Sequence, residues 1–250
     1  MAFVAFDAVT KVYRSGSREV AAVRDLSFTV ERGERVAVVG ETGCGKSTAI
    51  ALLLGLAAPT SGRVAIDGVD VYAHFERFRG RVAAVFQTDR LLPWKTALAN
   101  VRLPIEILGR REQDLSVTPA QWITRLGLAG FEAAFPHELS GGMRQRVAIA
   151  RALVSEPDLI LCDEAFGHLD EVTATALRAE FLALTRDTGR TLLFVTHSIE
   201  EAFVLGQRVL VMRLPGQVAA EFAVPADASP SELADLRTRV LETMGALKHD

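Results

Sequence analysis

The chain has 250 residues, of which 49% are hydrophobic and 24% are charged, and its formal net charge is −3. These numbers exclude a disordered or fibrous protein, and they suit one large domain with an insertion. A mildly acidic chain lacks the basic footprint of most nucleic-acid binders, so nucleic acid is not expected as a partner. Two cysteines fit free thiols in a reducing compartment, which points to the cytosol. With no basic leader before an apolar stretch, and no apolar run longer than 49–58, we expect neither export nor a membrane span.

Short β-rich runs alternate with helical patterns, which predicts an α/β fold around a mostly parallel sheet. The first part of the chain predicts a buried helix at 46–56 and strands at 20–30, 35–39, 63–71 and 82–86. Helical spacing then replaces the strand signals, notably at 119–128 and 143–153. Afterwards, continuous apolar runs typical of central parallel strands occur at 159–162 and 191–195, with helices at 171–185 and 231–244.

Residues 40–48 form the pattern G-x-x-x-x-G-K-[ST] at the point where a strand should turn into a helix. Glycines there let backbone N–H groups surround phosphate oxygens, Lys46 can reach the outer phosphates, and the Ser47 hydroxyl can hold Mg²⁺. The sequence therefore predicts a nucleotide site built from Gly40, Glu41, Thr42, Gly43, Cys44, Gly45, Lys46, Ser47 and Thr48.

Two carboxylates, Asp163 and Glu164, end the apolar run 159–162. An open α/β sheet binds its ligands at the carboxyl ends of its strands. We therefore expect Asp163 to hold Mg²⁺ and Glu164 to accept a proton from a water that attacks the γ-phosphate. Acidic residues also end strands for solubility alone, and the phosphate loop is what favours the catalytic interpretation.

The segment Leu-Ser-Gly-Gly-Met-Arg-Gln-Arg at 139–146 predicts a helix capped by Ser140, whose first amides would favour an anion. A capped structural helix is the alternative. With this segment and the phosphate loop, nearly the whole chain resembles the ATP-binding subunits of ABC transporters. The resemblance implies a P-loop NTPase (RecA-like) core, an antiparallel β subdomain and an inserted helical subdomain. On that basis 1–250 is one ABC ATPase domain, with its core at 1–87 and 158–225, the helical subdomain at 88–157 and a helical tail at 226–250.

The resemblance also implies roles for residues that are weak signals individually. Tyr13 would stack on adenine, although a tyrosine on an edge strand is the alternative. Gln87 would contact Mg²⁺ and the attacking water, and His197 would contact the γ-phosphate, where an isolated histidine is otherwise more often structural. A capping box from Ser198 to Glu201 would fix the helix after His197. The implied nucleotide contacts are completed by Ser140, Gly141, Gly142, Gln145 and Asp170.

In the family, two subunits sandwich each ATP head to tail, so the resemblance implies an ATP-dependent dimer with itself or with a paralogous ATPase. Apolar residues Leu91, Leu92 and Trp94 after Gln87 would dock a transmembrane permease, unless they pack within the helical subdomain. Several segments are similar to the importer group for nitrate, sulfonates and taurine. This implies a peripheral subunit at the cytoplasmic face of the membrane, served indirectly by a solute-binding protein.

Two residues depart from the family pattern. Ala165 stands where proline usually follows the catalytic glutamate, so we expect Glu164 to be held less rigidly and hydrolysis to be slow. His168 replaces a small residue and would make dimer closure depend on pH. The rival functions are a soluble ABC-type ATPase that is not coupled to transport, and an ATP-sensing scaffold with weakened catalysis.

Overall fold

The computed structural model describes residues 2–16, 18–167, 169–186 and 188–246. Its strands are β1 (Val4–Ser15), β2 (Arg18–Val30), β3 (Arg35–Gly40), β4 (Ser61–Ile66), β5 (Val69–Asp70), β6 (Val82–Phe86), β7 (Leu159–Asp163), β8 (Thr191–Thr196), β9 (Arg208–Arg213) and β10 (Gln217–Ala223). Its helices are α1 (Lys46–Leu53), α2 (Ala97–Leu108), α3 (Pro119–Arg125), α4 (Gly141–Leu153), α5 (Glu171–Arg186), α6 (Ile199–Leu205) and α7 (Pro230–Ala246).

The chain divides into two compact units. Residues 1–77 and 191–250 form the first, which we call the phosphate-loop unit. Residues 78–190 form the second, which we call the signature unit. None of the helices in the described part of the chain is long and apolar enough to cross a membrane.

The phosphate-loop unit contains an antiparallel sheet in the order β2-β1-β4-β5. Along β2, Leu26, Phe28 and Val30 are buried while the residues between them are exposed. This alternation is typical of an antiparallel sheet that buries one face. On that face the rings of Phe6 and Phe28 stack with their centroids 4.5 Å apart.

The same unit contains parallel strands that carry the phosphate loop. β3 pairs in parallel with β8 on one side and with β9 on the other, and β10 pairs antiparallel with β9. All six residues of β8 are buried, as expected for a strand covered on both faces. Val39 at the end of β3 lies opposite Thr196 at the end of β8. Residues that directly follow these two strands therefore meet at one edge of the sheet.

The signature unit combines a parallel strand pair with helices. β6 pairs in parallel with β7, and Phe86 lies opposite Asp163. α3 begins with a capping box in which Thr118 and Gln121 exchange hydrogen bonds with each other's backbone. Because β6 and β7 end side by side, the chain leaves the two strands at neighbouring places, with Gln87 after β6 and Glu164 after β7.

The α/β architecture and its mixed sheet confirm the predicted fold class, while the subdomain boundaries at 88–157 and 226–250 stay a prediction. The helix predicted to reach residue 56 ends earlier, at Leu53, because Gly55 adopts a left-handed conformation with φ of +65°. β1, β9 and β10 are strands that the sequence pattern did not predict. β1 is interrupted by register shifts that break its alternation, and Ala219 and Ala220 weaken the β signal of β10. His168 lies outside the described residues.

Candidate functional site

The phosphate loop, residues 40–48, has a backbone that only glycine allows at two positions. Gly43 and Gly45 have φ values of +84° and +105°. A Cβ on Gly45 would lie 2.5 Å from the carbonyl oxygen of Ala22, and one on Gly40 would lie 2.4 Å from that of Met212. The loop is therefore shaped by backbone packed against backbone, which leaves no room for a side chain at either place.

Lys46 lies inside this loop with only 6% of its surface exposed. Its Nζ donates hydrogen bonds to the carbonyl oxygens of Gly40 at 2.7 Å and Glu41 at 2.9 Å. The helix α1 starts here, and its N-cap is Gly45, which has no side chain to offer the first amides. A buried ammonium beside the N-terminus of a helix is an arrangement that favours an anion.

Cys44 packs under the loop and is fully buried, with its Sγ 3.8 Å from the Lys46 Nζ. Burial raises the pKa of this thiol, although the Lys46 ammonium acts in the opposite direction. Cys44 is therefore a neutral thiol at pH 7 and a packing residue of the loop.

His197 follows β8 and lines the same cleft as the first loop residues, as the sheet register requires. This cleft has a volume of about 500 Å³ and is lined by Gly40, Glu41, Thr42, His197, Leu241, Met244 and Gly245. The α7 side chains in this cleft could not be predicted from the sequence, because a helical pattern does not reveal what the helix lies against. The exchange of hydrogen bonds predicted for Ser198 and Glu201 is only half present. The Ser198 Oγ accepts from the Glu201 amide at 3.1 Å, but the Glu201 carboxylate accepts from the Thr196 hydroxyl.

Tyr13 is 44% exposed and lies opposite Val20 of β2. The pairing of β1 with β4 ends at Thr10, which lies opposite Ser61, so at Tyr13 the strand register continues with β2 only. The position is therefore compatible with the alternative of a tyrosine on a strand edge, and stacking on adenine stays a prediction. The Lys11 ammonium lies 4.9 Å from the centroid of the Tyr13 ring. This cation–π contact helps to hold the ring at the surface, where it is available for stacking.

In the signature unit, Asp163 is the last residue of β7 and Glu164 follows it. Glu164 has a φ of +49°, a left-handed conformation that is uncommon for a residue with a side chain. Its carbonyl oxygen accepts a hydrogen bond from the Gly167 amide at 3.0 Å. Ala165 and Phe166 are buried. The turn after β7 is therefore anchored, and it gives the carboxyl group of Glu164 a defined starting direction.

The signature segment 139–146 forms the start of α4, and the predicted cap is confirmed. The Ser140 Oγ accepts from the Met143 amide at 3.2 Å. Ser140 and Gly141 are exposed, and a Cβ on Gly142 would lie 2.9 Å from the Thr173 side chain. The helix therefore presents its first amides at the surface, where they could contact an anion.

Gln145, on the same helix, is 4% exposed. Its side-chain Nε2 donates to the carbonyl oxygens of Phe86 at 3.1 Å and of Ala165 at 2.5 Å. It helps to line a cavity of about 190 Å³ with Gln87, Thr88, Asp89, Gly141, Arg144, Ala165 and Leu169. The nucleotide contact expected for Gln145 stays a prediction, and the contacts described here are all with backbone.

The segment 87–94 is tied to α4 by two arginines. Arg144 pairs with Asp89 at 2.9 Å, and Arg151 donates to the carbonyl oxygens of residues 89 and 90. Leu91 is buried, so it packs within the signature unit, whereas 71% of Trp94 is exposed. Leu92 is half-buried, so Trp94 is the most exposed of the three apolar residues expected to dock a partner.

Asp170 is exposed and caps α5. Its Oδ1 accepts from the Thr173 amide at 3.0 Å, and this hydrogen bond lowers the pKa of the carboxyl group.

Across the described residues, no group of three or more His, Cys, Asp and Glu side chains could hold a metal ion. A Mg²⁺ ion held through nucleotide phosphates and one carboxylate needs no such cluster.

Comparisons with known proteins agree with this geometry. A family model described as ABC transporter matches residues 23–167. The chain is 36% identical over 241 residues to the uncharacterised ABC transporter ATP-binding protein MJ0412 of Methanocaldococcus jannaschii, which covers 94% of this chain and 89% of that protein. It is 40% identical over 204 residues to the taurine import ATP-binding protein TauB of Yersinia pestis, covering 81% of this chain and 78% of that protein.

The aliphatic sulfonates import ATP-binding protein SsuB of Bacillus cereus is 33% identical over 244 residues, covering 96% of this chain and 94% of that protein. Among solved structures, the dimeric post-hydrolysis state of the ATP-binding cassette MJ0796 bound to ADP and Pi has a TM-score of 0.78 at 32% identity, covering 89% of this chain and 99% of that one. Since family model and relatives agree over most of its length, the chain belongs to the ABC transporter family, as its signature segment predicted.

Proposed function

We propose that this chain is the ATP-binding and hydrolysing subunit that energises an importer for a small solute such as taurine, a sulfonate or nitrate. The observation that carries the proposal is the phosphate loop, with the buried Lys46 ammonium at its centre and His197 on the same cleft. Relatives named as taurine and aliphatic sulfonate import proteins support the direction of transport and the class of solute. The subunit would act at the cytoplasmic face of the membrane.

In this proposal the phosphate loop binds the triphosphate of ATP. The Lys46 ammonium would exchange its two carbonyl partners for outer phosphate oxygens, and the first amides of α1 would point at the same group. Tyr13 would stack on the adenine. Ser47, Gln87 and Asp163 offer the oxygen ligands that Mg²⁺ prefers, and the ion would offset the phosphate charge when bound.

Hydrolysis would use the two carboxylates in different roles. Glu164 takes the proton of the attacking water while the water oxygen bonds to the γ-phosphorus and the bond to ADP breaks. His197 donates a hydrogen bond to the γ-phosphate, and Gln87 orients the water. Asp163 would serve as a ligand of the metal.

The signature segment would contact the ATP that is bound by a second subunit. Ser140, Gly141 and Gly142 are accessible at the start of α4, where a γ-phosphate of the partner would meet the helix amides. Two such sites form with one two-fold axis, so both subunits close together. Trp94 and its neighbours in the segment 87–94 would dock the membrane permease, and a solute-binding protein would deliver the cargo to that permease.

Uptake by the host cell tests this proposal. The gene is deleted, and accumulation of labelled taurine, an alkanesulfonate and nitrate is measured with wild type or the variant Lys46→Ala restored. We expect uptake of one of these solutes to depend on wild type and to be lost with Lys46→Ala, because the variant lacks the charge that binds the phosphates. Normal uptake of all three solutes in the deletion strain, with ATPase activity of the purified protein intact, would instead indicate an ATPase that is not coupled to these solutes.

A further inference from the structure

We propose that Gln145 is a positioning residue for ATP hydrolysis, which holds the two strand ends that carry Gln87 and Glu164 in a fixed relation. This inference rests on the proposed function, because it concerns the step in which Glu164 accepts a proton. Gln145 would act through the backbone rather than by touching the nucleotide.

The contacts of Gln145 support this role. Its primary amide has two N–H groups, and its Nε2 donates to two carbonyl oxygens, those of Phe86 at 3.1 Å and Ala165 at 2.5 Å. Phe86 directly precedes Gln87, and Ala165 directly follows Glu164. Because the side chain is 4% exposed, water could not easily replace these bonds. One side chain thus joins the backbone next to both residues.

The backbone at Glu164 needs such support. Its φ of +49° is maintained only where the surroundings fix it. The Gly167 amide holds the carbonyl of Glu164 itself, and Gln145 holds the next carbonyl, that of Ala165. Alanine has no ring to restrict the chain at position 165, so hydrogen bonds must do so. Removal of the amide would leave the Glu164 carboxyl group free to move relative to Gln87.

The position of Gln145 on α4 adds a second consequence. The same helix begins at the signature tip, where Ser140 caps it. It also holds the segment 87–94 through the Arg144–Asp89 ion pair. A shift of α4 would therefore reach the Gln87 and Glu164 backbones through the Gln145 amide.

The test compares Gln145→Met, which keeps the length of the side chain but removes both donors, with Thr185→Val. Thr185 is also buried in the signature unit, and its hydroxyl donates to the Phe181 carbonyl at 2.8 Å. Thr185→Val thus controls for the loss of a buried hydrogen bond. For each protein, kcat and KM for ATP, the Kd of a fluorescent ATP analogue and the thermal midpoint are measured. A second variant, Gln145→Glu, keeps the shape and turns the donor into an acceptor.

We expect both Gln145 variants to lose about 10- to 100-fold in kcat, since a displacement of about 1 Å can cost that much, with Kd changed by less than about threefold. Thr185→Val should lose stability while keeping its kcat. Single-turnover rates in a Glu164→Gln background then separate positioning from general damage. There, Gln145→Met should lower the residual rate less than it lowers kcat in the protein that has Glu164, because only one of the two positioned groups, Gln87, remains.

Three results would overturn the inference. One is a normal kcat per folded molecule in either Gln145 variant, and another is an equal loss of rate with and without Glu164. The third is failure of both Gln145 variants to fold while Thr185→Val folds, which would make Gln145 a stability residue. If wild type hydrolyses ATP and Glu164→Gln does not, the proposed function stands whatever Gln145 does. If wild type shows no hydrolysis, both proposals fall.

Discussion

The phosphate-loop unit and the signature unit hold their functional residues in different ways. In the first, glycine backbone packed against other backbone fixes the loop, as at Gly40 and Gly45. In the second, side chains from α4 hold the important backbone, as Gln145 and Arg144 do. In the phosphate-loop unit, an added side-chain atom at either glycine should disrupt the loop. In the signature unit, each contact that is removed should weaken the site by only a part. Changes at Glu164 should therefore lower turnover, whereas changes in the phosphate loop should weaken ATP binding.

The largest effect is expected for Glu164→Gln in the signature unit. Loss of the general base should lower turnover by about 10² to 10⁴-fold, or about 3 to 5 kcal/mol of barrier. ATP affinity should stay within about threefold, because the phosphate loop is unchanged. Phosphate release and analogue binding measure the two quantities. Glu221→Gln is the matched control, because it makes the same change at a surface residue of β10 that pairs with Arg208 of β9. An unchanged turnover in Glu164→Gln would refute its role as base.

Gly45→Ala should break the phosphate-loop unit's site and weaken ATP binding by about 100-fold. The reason is a Cβ placed 2.5 Å from the Ala22 carbonyl oxygen at a φ of +105°, with strain of about 3 kcal/mol. Titration calorimetry measures the Kd. Gly68→Ala is the control, because Gly68 also has a positive φ, of +71°, but no atom lies within 4 Å of its added Cβ. Equal ATP affinity in both variants would show that the loop does not depend on close backbone packing.

A double-mutant cycle on Arg144→Ala and Asp89→Ala sharpens the view of the signature unit. The pair lies at 2.9 Å with side chains that are 36% and 28% exposed, so solvent screens it. We expect a coupling energy of about 0.5 to 1 kcal/mol in urea unfolding. Since Arg144 also donates to the Leu139 carbonyl, the single Arg144 variant should cost more than Asp89→Ala. A coupling energy of zero would show that this ion pair does not hold the segment 87–94 against α4.

The smallest effect concerns Cys44 and pH. Because burial raises the pKa of its thiol in the folded state, the unfolded chain loses this proton first as the pH rises. The contribution to stability is complete below the unfolded pKa and is lost as the pH rises through the folded pKa. In Cys44→Ala, the free energy of unfolding should therefore fall less steeply above about pH 8.5 than in wild type. Parallel curves for the two proteins would contradict this assignment.

The same contrast explains what could be predicted from the sequence. The phosphate loop was predictable because its glycines and its lysine lie within nine adjacent residues, whereas the backbone of Ala22 and Met212 that packs against it was not. The cap at Ser140 was predictable for the same local reason. The Gln145 contacts were not, since they join residues 59 and 20 positions away in the sequence. The capping box predicted for Ser198 and Glu201 is incomplete because the Glu201 carboxylate accepts a hydrogen bond from the Thr196 hydroxyl. Thr196 is 2% exposed and lies at the end of β8. Likewise, only tertiary structure shows that Leu241 of α7 lines the cleft of the phosphate loop.

The central claim is that ATP joins the phosphate loop of one subunit to the signature helix of another. Light scattering of the Glu164→Gln protein with MgATP tests it most directly, with Gly141→Glu added as a second change. An added side chain at Gly141 has space, its nearest neighbour being an Arg144 nitrogen at 3.8 Å, and a carboxylate there would repel a phosphate. We expect Glu164→Gln to have twice the 27.1 kDa mass of the chain, and the double variant to stay a monomer that still binds ATP. A dimer of undiminished affinity in the double variant, or a monomer in Glu164→Gln at saturating MgATP, would contradict the account.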